Sequence, residues 1–257
     1  MTNYEYIGPE GNTIAYREAG SGIPVLLIHG FTVDSEFNWV EPGIFGALAK
    51  QYHVVAMDVR GHGKSARPVE SNAYGERILD DITALIDSKQ FSKAHVVGYS
   101  MGGEIALAYA AKRPERVFKA VVGGGGLVTV GDDKYGLWEL DARRLRAATP
   151  EEKVSEVRFP GISLPASVLN SMDANDPAAL GAAAEGMLKL ALSREDLANN
   201  DIPILLLIGE NDEFKYTAER ALTAGPNIRM IVLNGCGHMD AIADPVFTQA
   251  LLNFLGE

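Results

Sequence analysis

Three side chains in this sequence have the types and chain order of a nucleophilic catalytic triad: Ser100, Asp212 and His238. A serine hydroxyl is a weak nucleophile at neutral pH and needs a base to accept its proton. An imidazole, with a pKa of about 6.5, is suited to that task. A carboxylate on the other ring nitrogen fixes the tautomer and stabilises the cation that forms. The three residues therefore predict acyl transfer through a serine nucleophile.

Ser100 lies in a glycine-rich turn between a predicted strand and a predicted helix. Gly98 and Gly102 flank it at two residues on either side, and the helix runs over 101–112 until Pro114. So tight a turn strains the serine backbone, and larger flanking residues would make the strand and the helix collide. The pattern favours a hydroxyl raised above the edge of a sheet. Taken alone, it also fits a glycine-rich turn with an idle serine.

Strands and helices alternate along most of the chain, which predicts a parallel sheet with helices on both faces. Apolar segments such as Pro24–Ile28 are typical of strands that are covered on both faces. The carboxyl ends of parallel strands meet at one edge, where ligands bind. We therefore expect Ser100, Asp212 and His238 to meet there. The other predicted strands are 4–7, 13–18, 52–57, 117–122, 202–208 and 228–233, and the other predicted helices are 39–50, 76–88, 216–223 and 245–255.

The alternation stops for about 75 residues in the middle of the chain, where only helical patterns occur. Thr149–Glu152 and Asp176–Pro177 are typical helix starts, each with a capping side chain and a proline at the first helical position. We interpret this segment as a helical cap over the carboxyl edge of the sheet. The expected organisation is a core of residues 1–123 and 201–257 and a cap insertion of residues 124–200.

Several other residues receive structural interpretations. Gly123–Gly126 lacks the following Lys-Ser/Thr of a phosphate-binding loop and is interpreted as a flexible junction that lets backbone approach the substrate. Cys236 is interpreted as a packing residue. Glu210 and Glu213 lie close enough to Asp212 to compete with it as the carboxylate partner of the histidine.

The sequence resembles the α/β-hydrolase family across essentially its whole length. The matching segments are His29-Gly30-Phe31, Asp58–Ser65, Gly98–Gly103, Gly209–Asp212 and Gly237-His238. The resemblance implies a mostly parallel central sheet with helices on both faces and a small helical cap. It also implies that Ser100, Asp212 and His238 form the triad, and that the backbone N–H groups of Phe31 and Met101 form an oxyanion hole.

Further roles follow from the same resemblance. In relatives of this family the cap lines the substrate pocket, which makes Trp138 and Phe159 candidates for substrate contact. His29 has a structural role in such proteins, where it braces the oxyanion loop. A serine at the elbow argues against epoxide hydrolases and haloalkane dehalogenases, whose members have aspartate there.

The composition narrows the classes of partner. The 257 residues carry 23 basic and 34 acidic side chains, and this net charge of −11 argues against a nucleic-acid partner. The single cysteine excludes an internal disulfide. No metal-ligand spacing or cofactor motif is evident, so we expect neither metal nor cofactor. The start of the chain lacks signal-peptide features and no apolar run reaches about 20 residues, so we expect a cytoplasmic protein without membrane contact.

The expected function is that of a carboxylesterase for small to medium acyl groups, whose partner is a small-molecule ester. The alternatives are a carbon–carbon bond hydrolase, a thioesterase, a lactonase or a perhydrolase of the same fold. A triad-bearing ligand receptor with slow turnover is an alternative from a different class. The sequence does not indicate the oligomeric state.

Overall fold

A single mixed sheet forms the centre of the computed structural model, which describes residues 2–149 and 151–257. Within the described residues the sheet has eight strands in the order β1-β2-β4-β3-β5-β6-β7-β8. The first two strands form an antiparallel hairpin on β4, and all the other neighbouring pairs are parallel. The strands are β1 (Thr2–Ile7), β2 (Thr13–Ala19), β3 (Pro24–Ile28), β4 (His53–Met57), β5 (Ala94–Tyr99), β6 (Val117–Gly123), β7 (Ile204–Gly209) and β8 (Ile228–Leu233).

Helices cover both faces of this sheet, as the alternating pattern predicts. The α-helices are α1 (Ile44–Leu48), α2 (Glu76–Ser88), α3 (Met101–Lys112), α4 (Asp133–Arg146), α5 (Val154–Arg158), α6 (Ala166–Asp173), α7 (Pro177–Leu188), α8 (Glu195–Ala198), α9 (Lys215–Leu222) and α10 (Pro245–Gly256). None of the helices in the described residues has the length and apolar character needed to cross a bilayer.

The continuous apolar strands are explained by two hydrophobic clusters, one on each face of the sheet. In β3, Leu26 and Ile28 belong to one cluster, whereas Val25 and Leu27 belong to the other. All four are at most 2% exposed. Each such side chain contributes about 1.5–3 kcal/mol relative to an exposed position. Burial on both faces fixes the strand register, and with it the positions of the loops at the carboxyl ends.

The segment predicted as one helix over 39–50 is two shorter elements, so that prediction was wrong. A π-helical turn spans Glu36–Val40, and α1 begins only at Ile44. Gly43 separates the two with a left-handed φ of 83°. That conformation interrupts a right-handed helix and is accessible to glycine at little cost.

Helices α4 to α8 lie between β6 and β7, where the described residues contain no strand. Asp176 caps α7 as predicted, because its side chain accepts hydrogen bonds from the backbone N–H groups of Ala178 and Ala179. The helix start predicted at Thr149–Glu152 includes Pro150, which lies outside the described residues, and α5 begins at Val154. The division into core and cap at residues 124 and 200 stays a prediction.

Gly123–Gly126 is closely packed, which corrects its interpretation as a flexible junction. All four glycines are buried. A Cβ on Gly126 would lie 2.5 Å from the backbone nitrogen of Ala218 in α9, and a Cβ on Gly124 would lie 3.1 Å from Cε1 of His238. These glycines are needed because backbone passes close to backbone and to the histidine ring.

Candidate active site

Ser100 occupies the turn between β5 and α3 in a strained conformation, with φ 55° and ψ −117°. Its backbone N–H donates to the carbonyl oxygen of Gly123, 2.8 Å away in the neighbouring strand. A Cβ on Gly98 would lie 2.6 Å from the backbone nitrogen of Gly103, and a Cβ on Gly102 would lie 2.6 Å from the carbonyl oxygen of His29. Backbone on three sides therefore holds the serine in a conformation that a free chain would avoid.

The three residues expected to meet at the sheet edge form one hydrogen-bonded row. The Ser100 hydroxyl lies 3.0 Å from Nε2 of His238, and Nδ1 of His238 lies 2.9 Å from Oδ2 of Asp212. An ionised carboxylate only accepts, so Nδ1 carries the proton and Nε2 is free to accept from the serine. The arrangement has the geometry required of a nucleophile, its base and the group that orients the base.

The structure distinguishes among the three neighbouring carboxylates. Asp212 follows β7, has a fully buried side chain and accepts a second hydrogen bond from the backbone N–H of Phe214 at 2.8 Å. Glu210 instead accepts from the backbone N–H of Gly235, also at 2.8 Å. Among the described residues, His238 makes no hydrogen bond or ion pair with Glu210 or Glu213. Only Asp212 is therefore positioned to hold the imidazole.

Two further contacts hold His238, one to its backbone and one to its ring. The hydroxyl of Tyr99, at the end of β5, donates to the carbonyl oxygen of His238 at 2.6 Å. The ring of Phe214 meets the imidazole edge-on, with centroids 5.0 Å apart. Packing of this kind limits the imidazole to few orientations.

The loop after β3 places the backbone N–H of Phe31 beside the elbow. His29 braces this loop, since its Nε2 accepts from the backbone N–H of Val59 at 2.9 Å. Asn38 accepts from the backbone N–H of Gly30 at 2.6 Å. Within 2–149 and 151–257, neither the backbone N–H of Phe31 nor that of Met101 donates to an acceptor. Both donors are thus available to an oxygen placed between them.

Asn175, just before α7, links the helical segment between β6 and β7 to this loop, and the sequence did not single it out. Its Nδ2 donates to the carbonyl oxygen of Thr32 at 2.9 Å, and its Oδ1 accepts from the backbone N–H of Gly63 at 3.2 Å. Thr32 has a left-handed φ of 68° and is held there by this bond. In the sequence, Asn175 directly precedes the N-cap of α7 and suggests only a turn, so nothing indicates its hydrogen bonds to the loop.

The two aromatic candidates for substrate contact differ in position. Trp138 is buried in α4, and its ring meets that of Phe31 edge-on with centroids 5.0 Å apart. Phe159 is partly buried and packs against the guanidinium of Arg158, whose carbon is 5.0 Å from the ring centroid. Arg158 itself lies over Phe31, 4.9 Å from its centroid. Trp138 therefore contacts the site directly, whereas Phe159 supports a residue that does.

Two charged side chains near these aromatics were also missed. Lys134, in the first turn of α4, and Glu104, one turn after the serine in α3, are each 8% exposed. Burial lowers the pKa of Lys134 and raises the pKa of Glu104. In the sequence both occur in ordinary helical patterns, and only the fold brings them together. Across 2–149 and 151–257, no cluster of three or more potential ligand side chains could hold a metal ion.

Comparison with known families gives one match over most of the chain. A model of the alpha/beta hydrolase fold matches residues 23–245. The chain is 29% identical to a 2-(acetamidomethylene)succinate hydrolase of Mesorhizobium japonicum, covering 95% of this chain and 91% of that protein. It is also 29% identical to a 2-hydroxy-6-oxo-6-(2'-aminophenyl)hexa-2,4-dienoic acid hydrolase of Metapseudomonas resinovorans, covering 97% and 90%.

Solved structures share the architecture. The enol-lactonase of Burkholderia xenovorans superposes with a TM-score of 0.84 at 21% identity, covering 99% of this chain and 100% of that one. At this identity the likeness concerns the fold alone.

Proposed function

This chain belongs to the alpha/beta hydrolase fold family and is a hydrolase, and from that premise we propose a serine hydrolase that cleaves carboxylic esters of small to medium acyl groups. The observation that carries the proposal is the hydrogen-bonded row, with 3.0 Å from Ser100 to His238 and 2.9 Å from His238 to Asp212. Neither distance requires a side chain to move before a proton is transferred.

The proposed reaction uses the row twice. Ser100 Oγ attacks the ester carbonyl while its proton passes to Nε2 of His238, and Asp212 stabilises the imidazolium. The tetrahedral oxyanion accepts hydrogen bonds from the backbone N–H groups of Phe31 and Met101. His238 then gives its proton to the leaving alcohol, and an acyl-enzyme remains on Ser100. Water attacks this ester with His238 as the base, which releases the acid and restores the hydroxyl.

A substitution at the proposed nucleophile tests this function. Purified protein is assayed with p-nitrophenyl acetate and butyrate, and we expect many turnovers per molecule. Ser100→Ala is expected to lower kcat by on the order of 10⁴- to 10⁶-fold, because no other group replaces the nucleophile. Cys236→Ala is the matched control, since its thiol lies near Asp244 and takes no part in the row. Turnover that survives Ser100→Ala, or is lost in Cys236→Ala, would contradict the proposal.

A second candidate function is hydrolysis of a carbon–carbon bond. It is supported by the similarity over 97% of the chain to the dienoic acid hydrolase named above. The substrates assayed with the wild type therefore also include a vinylogous diketone, lactones and thioesters. Preference for the diketone, measured as kcat/KM, would favour this candidate over ester cleavage. A single slow turnover on every compound would contradict both candidate reactions.

A further inference from the structure

Lys134 is a buried ammonium group without a hydrogen-bond acceptor in the described residues. Its side chain is only 10% exposed. The nearest carboxylate oxygen, Oε1 of Glu104, lies 3.7 Å from Nζ, which exceeds hydrogen-bond length. Nζ lies 3.6 Å from the ring centroid of Phe214 and 5.0 Å from that of Trp138. Aromatic faces attract the cation, but they do not replace the hydrogen bonds that an ammonium group has in water.

Each neighbour of Lys134 contacts the proposed catalytic machinery. Phe214 packs against the imidazole of His238 at 5.0 Å. Trp138 packs against Phe31 at 5.0 Å. The backbone N–H of Glu104 donates to the carbonyl oxygen of Ser100 at 3.1 Å. The ammonium group therefore lies one side chain away from the triad and from the oxyanion loop.

The nearby acidic groups leave the hydrogen-bond donors of this cation free. Oε2 of Glu104 accepts a hydrogen bond from Nε1 of Trp138 at 2.8 Å, and Oε1 forms an ion pair with Nζ of Lys134 at 3.7 Å without reaching hydrogen-bond distance. Asp141 binds Nε and Nη2 of Arg158 at 3.1 and 2.7 Å, so the second cation beside Phe31 is already paired through two hydrogen bonds. Among the described residues, Lys134 therefore retains unused hydrogen-bond donors at this site.

We propose that Lys134 binds a carboxylate of the substrate, so that the enzyme prefers acyl compounds that carry a free carboxylate away from the scissile carbonyl. A carboxylate would supply the hydrogen-bond acceptor that Glu104, at 3.7 Å from Nζ, does not supply. Lys134 then determines specificity without taking part in bond cleavage. This inference rests on the proposed function, since it concerns the substrate class of the same site.

Paired esters test the preference. The mono-p-nitrophenyl ester of adipic acid is compared with p-nitrophenyl hexanoate, which has the same chain length and no charge. The wild type is expected to have the higher kcat/KM on the adipate ester. Lys134→Met is expected to lower that value by roughly 10- to 100-fold, mainly through KM, because a charged hydrogen bond is lost. Hydrolysis of the hexanoate is expected to fall much less, because that ester offers no carboxylate to Lys134.

Two further variants separate charge from structure. Lys134→Arg keeps the charge and is expected to recover part of the preference, whereas Lys134→Gln is used if the methionine variant does not fold. Lys50→Met removes an exposed lysine and is expected to change nothing. An equal loss on both esters in Lys134→Met, or a wild-type preference for the hexanoate, would overturn the inference.

A binding measurement distinguishes failure of this inference from failure of the proposed function. Adipate is titrated into the Ser100→Ala protein by calorimetry, with and without Lys134→Met. Binding that depends on Lys134, in a protein whose wild type cleaves neither ester, would refute ester cleavage and support the anion site. Ser100-dependent cleavage of both esters without a Lys134-dependent difference would support the proposed function and refute the inference.

Discussion

Substituting Gly102 tests whether close backbone packing holds the nucleophile in place. A Cβ at this position would lie 2.6 Å from the carbonyl oxygen of His29 and still closer to that of Ile28, whereas ordinary contact begins at 3.4 Å. Both obstacles are backbone atoms of β3 and its loop, so they cannot rotate away. The amino-terminal end of α3 must therefore withdraw by about 1 Å to accommodate Gly102→Ala.

The size of the effect follows from this displacement. Ser100 lies two residues before Gly102, so the 3.0 Å hydrogen bond to His238 would lengthen towards about 4 Å, beyond proton-transfer distance. We expect kcat on p-nitrophenyl butyrate to fall by roughly 10²-fold. We expect the free energy of unfolding to fall by about 1–3 kcal/mol, the usual cost of overpacking.

Graded variants make the assay decisive. Gly103→Ala is the milder change, because its Cβ would lie 2.9 Å from the carbonyl oxygen of Gly123. Gly46→Ala, in α1, is the control: no atom lies within 4 Å of its Cβ, and it is expected to be neutral or to stabilise by about 1 kcal/mol. Urea unfolding and kcat are measured for all three. Wild-type kcat and stability in Gly102→Ala would refute the claim that backbone contact positions the serine.

Two further predictions concern stability. Asp81 and Arg60 form a fully buried ion pair, in which Arg60 donates two hydrogen bonds of 2.6 Å. Asp81→Asn leaves the arginine charge uncompensated, so the free energy of unfolding measured by urea denaturation should fall by roughly 3–5 kcal/mol. Glu219→Gln is the control, because it lies in an exposed pair and should change this free energy by about 0.5 kcal/mol or less. Burial lowers the pKa of His95 to about 4. Since only the unfolded chain then binds a proton between pH 6.5 and 4, the wild type should lose about 3 kcal/mol of stability over that range. His95→Gln should lack this part of the loss in melts recorded at each pH, and equal slopes for the two proteins would contradict the assignment.

Elements defined by local patterns were predicted well. The apolar periodicity of α2 and the proline after α3 identified helices over 76–88 and 101–112, with the bounds that the structure has. The triad residues could be proposed because each follows a strand at the carboxyl edge, and the topology brings such positions together.

One wrong prediction overlooked a local signal: Pro42-Gly43 lies inside the segment predicted as one helix over 39–50, and α1 begins just after it. The other failures depend on contacts between distant segments. Gly123–Gly126 resembles a flexible linker in composition, and its close packing against α9 and His238 is visible only in the fold. Lys134 and Glu104 lie on separate helices, and neither residue type indicates burial. The spacing of residues in a single sequence does not show which side chains on separate helices will meet.

The glycines of Gly98–Gly103 and Gly123–Gly126 both allow close packing around Ser100 and His238. The elbow glycines let α3 approach β3, and Gly124 leaves room for the imidazole of His238. Backbone packing therefore positions Ser100 and His238, whereas the proposed substrate contact of Lys134 depends on a side chain of α4. For this reason Gly102→Ala is expected to slow every substrate alike, whereas Lys134→Met is expected to change the ranking of substrates.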